Sequence, residues 1–85
     1  MEKRVGVVGI IVENRERAKE VNEILHKYAE IIVGRMGVPY KERGISVISL
    51  IVDGTTDEIS AMTGKIGKIA DVQVKTALAS KNKQG

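Results

Sequence analysis

The chain has 85 residues, 42% of them hydrophobic, yet only Tyr28 and Tyr40 are aromatic and none is cysteine. Disulfides and thiolate metal sites are therefore excluded, and the core must be aliphatic in a chain that buries only roughly 60–65% of its unfolded surface. A net charge of +3 permits nucleic-acid binding without demanding it. The apolar run Val5–Val12 is too short to span a bilayer and runs straight into charged residues, unlike a secretory signal, so a soluble, cytoplasmic protein is expected.

Arg4–Val12 is apolar on both alternating faces, with Val5, Val7 and Ile11 pointing one way and Val8, Ile10 and Val12 the other. This is the pattern of a central strand covered on both sides. Asn14 can cap the helix that follows. From Glu16 to Lys27, and on to Tyr28, the residues Ala18, Val21, Ile24 and Leu25 recur at helical spacing among Glu and Lys. Tyr28 is expected in the core with its hydroxyl at the rim. A short connection at Ala29–Glu30 leads to a strand over Ile31–Met36. Then Gly34 and Gly37 interrupt the strand, Pro39 removes a backbone donor and Gly44 closes the segment. Arg35, Tyr40, Lys41 and Arg43 sit between and after these glycines. This hairpin is the most site-like stretch of the chain; the plainer alternative is a long, solvated hairpin with a basic tip.

Ile45–Val52 is a third strand, with Ile45, Val47 and Ile51 sharing one face with Ser49, and Ile48, Leu50 and Val52 sharing the other with Ser46. Asp53-Gly54 reads as a turn, and Thr55 to Glu58 as a capping box at a helix start. Ile59, Met62, Ile66 and Ile69 form the second helical stripe. Gly64 and Gly67 weaken that helix by about 1 kcal/mol each relative to alanine and would let it pack closely on the sheet. Asp71–Ala79 alternates, as an edge strand with one wetter face does. Residues 1–80 form a single domain in this reading, and 81–85 a polar tail.

The order βαββαβ contains a weak repeat, Ile-Ile-Val-Glu at 10–13 against Leu-Ile-Val-Asp at 50–53. Two βα units, each with a return strand, give the α+β, ferredoxin-like plan. Right-handed crossovers then fix an antiparallel sheet in the order 4-1-3-2 with both helices on one face. The other face stays apolar on strands one and three. Such a face implies a partner, and a second copy of the chain is the expected one.

Several attractive motifs fail. Gly6-Val7-Val8-Gly9 is half a dinucleotide fingerprint, but its glycines lie inside the strand and Arg4 holds the first glycine position. Gly64-Lys65 lacks the first glycine and the Ser/Thr of a phosphate-binding loop. His26, the single histidine, lies off the apolar stripe and near a helix end, where it interacts favourably with the helix C-terminus. It is a weak metal candidate, because one nitrogen ligand without cysteine seldom makes a site within one subunit. No cofactor is expected.

Asn22-Glu23-Ile24-Leu25-His26-Lys27-Tyr28, Ile32-Val33-Gly34-Arg35-Met36-Gly37-Val38-Pro39-Tyr40 and Arg43-Gly44 resemble the family of iron-only hydrogenase system regulators. Val12-Glu13-Asn14-Arg15 and Gly64-Lys65-Ile66-Gly67 fit it as well, so the resemblance covers residues 3–80. That family is similar to ACT domains and to the C-terminal regulatory domain of the nickel-responsive repressor NikR. The resemblance implies an ACT-like ferredoxin fold, oligomerisation, and small-ligand or metal sensing. The repressor's several histidines and its cysteine are absent here, so its metal site does not carry over. No DNA-binding domain is recognisable in these residues, and direct DNA binding is not expected.

The leading reading is a non-catalytic regulatory module, a dimer or tetramer joined through the helix-free sheet face. It would bind a small ligand or a regulatory partner near the hairpin. Arg35 and Arg43 would pair with carboxylate or phosphate, Gly34 and Gly37 would allow close backbone approach, Tyr40 would supply a rim contact, and Asn14 could reach a ligand from its strand–helix junction. One alternative is a small phosphate-ester or acyl-phosphate hydrolase. Asn14 and Arg15 suit that chemistry, but no glycine-rich cradle precedes them. The other alternative, a nucleic-acid binder, has only Tyr40 for stacking.

Overall fold

In the computed structural model, which describes residues 2–80, the alternation along the first strand decides the layering. Strand β1 (Lys3–Val12) turns Val8, Ile10 and Val12 toward the helices and buries them completely. Strand β3 (Ile45–Thr55) does the same with Ile48, Leu50 and Val52. Helix α1 (Ala18–Lys27) covers them with Val21 and Leu25, and helix α2 (Thr56–Gly67) with Ile59, Met62 and Ile66. Each such aliphatic side chain contributes roughly 1.5–3 kcal/mol on burial, and no polar residue interrupts the set. Tyr28 is half-buried against this core, with the Lys65 ammonium 5.2 Å from its ring centre. Strands β2 (Ile32–Tyr40) and β4 (Val72–Leu78) complete an antiparallel sheet in the order β2-β3-β1-β4. This is the ferredoxin-like plan and strand order that the βαββαβ sequence and right-handed crossovers implied.

The opposite face carries no helix. Val5, Val7 and Ile11 of β1, Met36, Val38 and Tyr40 of β2, and Val47 and Ile51 of β3 are all exposed there, between 37% and 68%. The strands that read as covered on both sides are thus covered on one side within a single chain.

Several expectations are corrected. Asp53-Gly54 is not a turn: β3 runs extended through both to Thr55, with Gly54 opposite Arg4. A Cβ at Gly54 would sit 3.0 Å from Ile31 Cγ2 and 3.1 Å from Glu58 Oε1, so the glycine answers to packing. Strand and helix then join without a loop. Thr55 Oγ1 accepts from the Glu58 N–H at 3.1 Å while Glu58 Oε1 accepts from the Thr55 N–H at 2.8 Å. The Thr55 N–H and, at 3.1 Å, the Thr55 hydroxyl both donate to Glu58 Oε1 and hold the Glu58 carboxyl below its ordinary pKa, the backbone donor contributing most.

Gly64 and Gly67 do not bring α2 closer to the sheet; both face open space. The first helical turn, Arg15–Arg17, is 3-10, and α1 begins only at Ala18. Asp71 adopts φ +65°, which a strand cannot contain, so β4 begins at Val72; the Asp71 carbonyl instead accepts from the Glu13 N–H at 2.7 Å. Strand β2 extends past Met36 to Tyr40, carrying Pro39 within it, as an edge strand tolerates. The tail at 81–85 lies outside the described residues.

Candidate functional site

Because α1 packs beside β2, an open groove follows the sheet edge, and Arg35 crosses it. Arg35 pairs with Leu50 across the sheet, which aims its side chain to the helix side. There its Nη2 donates to Asn22 Oδ1 of α1 at 2.8 Å. The bond divides the groove. On one side a space of about 500 Å³ is lined by Asn22, Leu25, His26, Ala29, Ile32, Val33, Gly34 and Arg35. On the other, about 210 Å³ is bounded by Ala18, Asn22, Arg35, Gly37, Val38, Pro39, Ser46 and Ile48. Gly37 opposes Ile48, whose Cγ1 is the nearest atom to a notional Cβ there at 3.9 Å. The missing side chain leaves the smaller space open.

The register shifts between Ile32 and Gly34, leaving Val33 without a partner on β3. Such a bulge bends the strand and re-aims the extra residue. Val33 is 69% exposed.

The candidates named from sequence therefore fall into three groups. Gly34, Arg35 and Gly37 line the groove. Asn14 and Arg43 leave the sheet at its hairpin end, since Val12 opposes Ser46 and Ser46 opposes Pro39. There Asn14 Oδ1 accepts from the Glu16 N–H at 3.0 Å, the cap expected of it. Arg43 ends a 3-10 turn, Lys41–Arg43, closed by Gly44 at φ +69°, whose N–H donates to Lys41 O at 3.0 Å. Tyr40 opposes Ile45 on the helix-free face and so points away from the groove. His26 is exposed and lines the larger space. Among the described residues, no three His, Cys, Asp or Glu side chains converge to hold a metal, and no helix is long and apolar enough to cross a membrane.

Sequence reasoning missed Asn22 as the partner of Arg35. The signal was present: Ala18, Asn22 and His26 recur every four residues in a row beside the buried Val21–Leu25 stripe. Such a row meets whatever lies at the sheet edge. The Val33 bulge left no comparable trace, because Ile32 and Val33 continue an unbroken apolar run.

Comparison with known proteins adds the following. A family model described as "TM1266-like: Iron-only hydrogenase system regulator, putative" matches residues 4–76. The uncharacterized protein TM1266 from Thermotoga maritima has a similar structure, with 41% identity and a TM-score of 0.88 over 93% of this chain and 100% of that one. An unknown protein from Galdieria sulphuraria is 15% identical with a TM-score of 0.63, covering 93% of this chain and 46% of that one. The PII-like protein CPII from Thiomonas intermedia K12, solved with ADP, AMP and bicarbonate, is 13% identical with a TM-score of 0.52 over 94% of this chain and 100% of that one. At those identities the last two likenesses concern the fold alone. No curated protein matches the chain.

Proposed function

From the premise that the chain belongs to the TM1266-like family of iron-only hydrogenase system regulators, we propose that it is a non-catalytic, ligand-sensing module working in the cytoplasm. Residues 1–80 act as one unit, and two or more copies associate through the helix-free sheet face. The observation that supports this most is that face: three neighbouring strands expose large aliphatic side chains side by side, from Val5 to Met36. With strands about 4.8 Å apart and about 3.3 Å per residue, the paired face projects roughly 500 Å², as large as the largest apolar patch on an ordinary monomer, about 300–600 Å². A second copy presents the same aliphatic chemistry and needs no charge matched to it.

A small anionic ligand, or an acidic segment of a partner protein, engages the β2–β3 side of each copy. Arg43 pairs with its charge, Arg35 has a mixed structural and binding role, Gly34 and Gly37 leave the approach open, and Asn14 and Tyr40 flank it. Native mass spectrometry of protein purified from its own host tests this, since subunit count and retained mass are read together. The expected result is a multimer that retains a ligand. Arg43→Ala should keep the multimer and weaken retention by about 10-fold or more, the worth of a charge-assisted hydrogen bond. A monomeric mass by light scattering in dilute solution removes the oligomer, and undiminished retention in Arg43→Ala removes the hairpin site.

A further inference from the structure

We propose that the larger compartment of the α1–β2 groove is a carboxylate site, built for a small monocarboxylate with a short branched apolar tail. The inference rests on reading this sheet edge as ligand-binding, and it names the ligand class and the head-group contacts.

The argument begins with Asn22. An arginine has only donors, so the amide oxygen of Asn22 must be the atom facing Arg35, as the 2.8 Å contact shows. That commits the acceptor of Asn22 and leaves its NH₂ as a pair of donors. Only one of the five guanidinium N–H groups of Arg35 is used in that bond, so the rest of the fork remains available. The bond also holds the two side chains together across the groove, so the head-group contacts stand ready before a ligand arrives. Among the polar side chains lining this compartment are Asn22, Arg35 and His26, and no carboxylate is present. A site dominated by donors around a guanidinium selects an acceptor-only anionic group, and the planar fork matches a carboxylate in two parallel bonds.

The rest of the lining is apolar. Leu25, Ala29, Ile32 and Val33 line the compartment. Val33 stands apart among the exposed large hydrophobics of β2: Met36, Val38 and Tyr40 face the helix-free side, whereas Val33 is the bulged residue and lines the groove. A second copy on the sheet face does not account for it. A branched alkyl tail extending from a carboxylate held at Arg35 does.

The test is a titration of ¹⁵N-labelled full chain with isovalerate, acetate, isovaleramide and inorganic phosphate, following the side-chain signals of Asn22 and Arg35. Isovalerate should shift both saturably and at least about fivefold more tightly than acetate, from partial burial of methyl groups worth about 0.8 kcal/mol each when fully buried. Isovaleramide should leave them unmoved. Arg35→Gln should weaken isovalerate by about 10- to 100-fold, the range for hydrogen bonds to a charged group. Asn22→Asp is the sharper variant: it still accepts from Arg35, so the α1–β2 tie survives, yet its charge should abolish binding. Val33→Ser should erase the preference of isovalerate over acetate without altering acetate. Light scattering on the same samples reads the oligomer separately. No saturable isovalerate shift, phosphate binding tighter than isovalerate, or undiminished binding in Asn22→Asp overturns the proposal. Any of these leaves the oligomer and Arg43 tests standing.

Discussion

Leu50 and Ile51 are neighbours in β3, alike in bulk and chemistry, yet Leu50 is fully buried and Ile51 is 48% exposed. The same contrast holds between Val8 and Val7 in β1. Both faces of the two central strands are equally aliphatic, but one lies under two helices and the other under nothing within the chain. Period-two alternation says which residues share a face. Which face is covered depends on the crossovers, because both βα units return on the same side. Apolar character on a strand is therefore a statement about eventual burial, and the number of chains needed to achieve it is a separate question.

Five substitutions sharpen or break this contrast, beginning with the largest effect. Leu50→Ala should cost about 2–5 kcal/mol, seen as a lower urea midpoint at every protein concentration. Ile51→Lys should shift the midpoint only where stability depends on concentration, because it removes association and spares the inner layer. Equal, concentration-independent losses at both positions would mean that the two faces do not differ. Next come two strand glycines. Gly54→Ala pushes a methyl against Ile31 on the inner side and should cost about 1–3 kcal/mol. Gly9→Ala, whose nearest neighbour is Lys75 O at 4.0 Å, should leave the fold unchanged or raise its stability by up to about 1 kcal/mol. The smallest effect belongs to the cap that seats α2 on the inner face. The folded-state pKa of Glu58 is lowered by the Thr55 N–H. Its stabilisation is therefore complete above the ordinary glutamate value of about 4.3 and is lost as pH falls through the lower, folded value. Glu58→Gln should flatten that part of the acid-unfolding curve, and an unchanged curve would remove the cap from the account.

The strand order, the two helical stripes and the capping box were legible because each rests on a local period or a three-residue spacing. Asp53-Gly54 misled because Asp-Gly is a strong turn signal, whereas here the glycine yields space to Ile31 across the chain. Asp71 misled in the same way, since nothing in Asp71–Ala79 marks its first residue as left-handed. At the candidate site, the sequence singled out Gly34, Arg35 and Gly37, which share one groove, together with Arg43 and Tyr40, which the hairpin separates from it. The separation follows from strand parity once β2 is known to reach Tyr40. Asn22 was visible only as a polar residue beside a buried stripe, because its role depends on a partner thirteen positions away.

The bulge at Val33 and the proline at position 39 have a consequence for the shape of any assembly. Strand β2 is an outer strand, and an outer strand with regular, unpaired backbone groups is a template on which further strands add without limit. Here its ladder is bent near one end and lacks a donor near the other, leaving only a short regular run between Gly34 and Val38. Edge-to-edge growth, which is open-ended, is thereby discouraged, while stacking through the helix-free aliphatic face would use one surface per copy and close on itself. The irregularities of β2 would thus bias any self-association toward a particle of fixed size and away from a fibre.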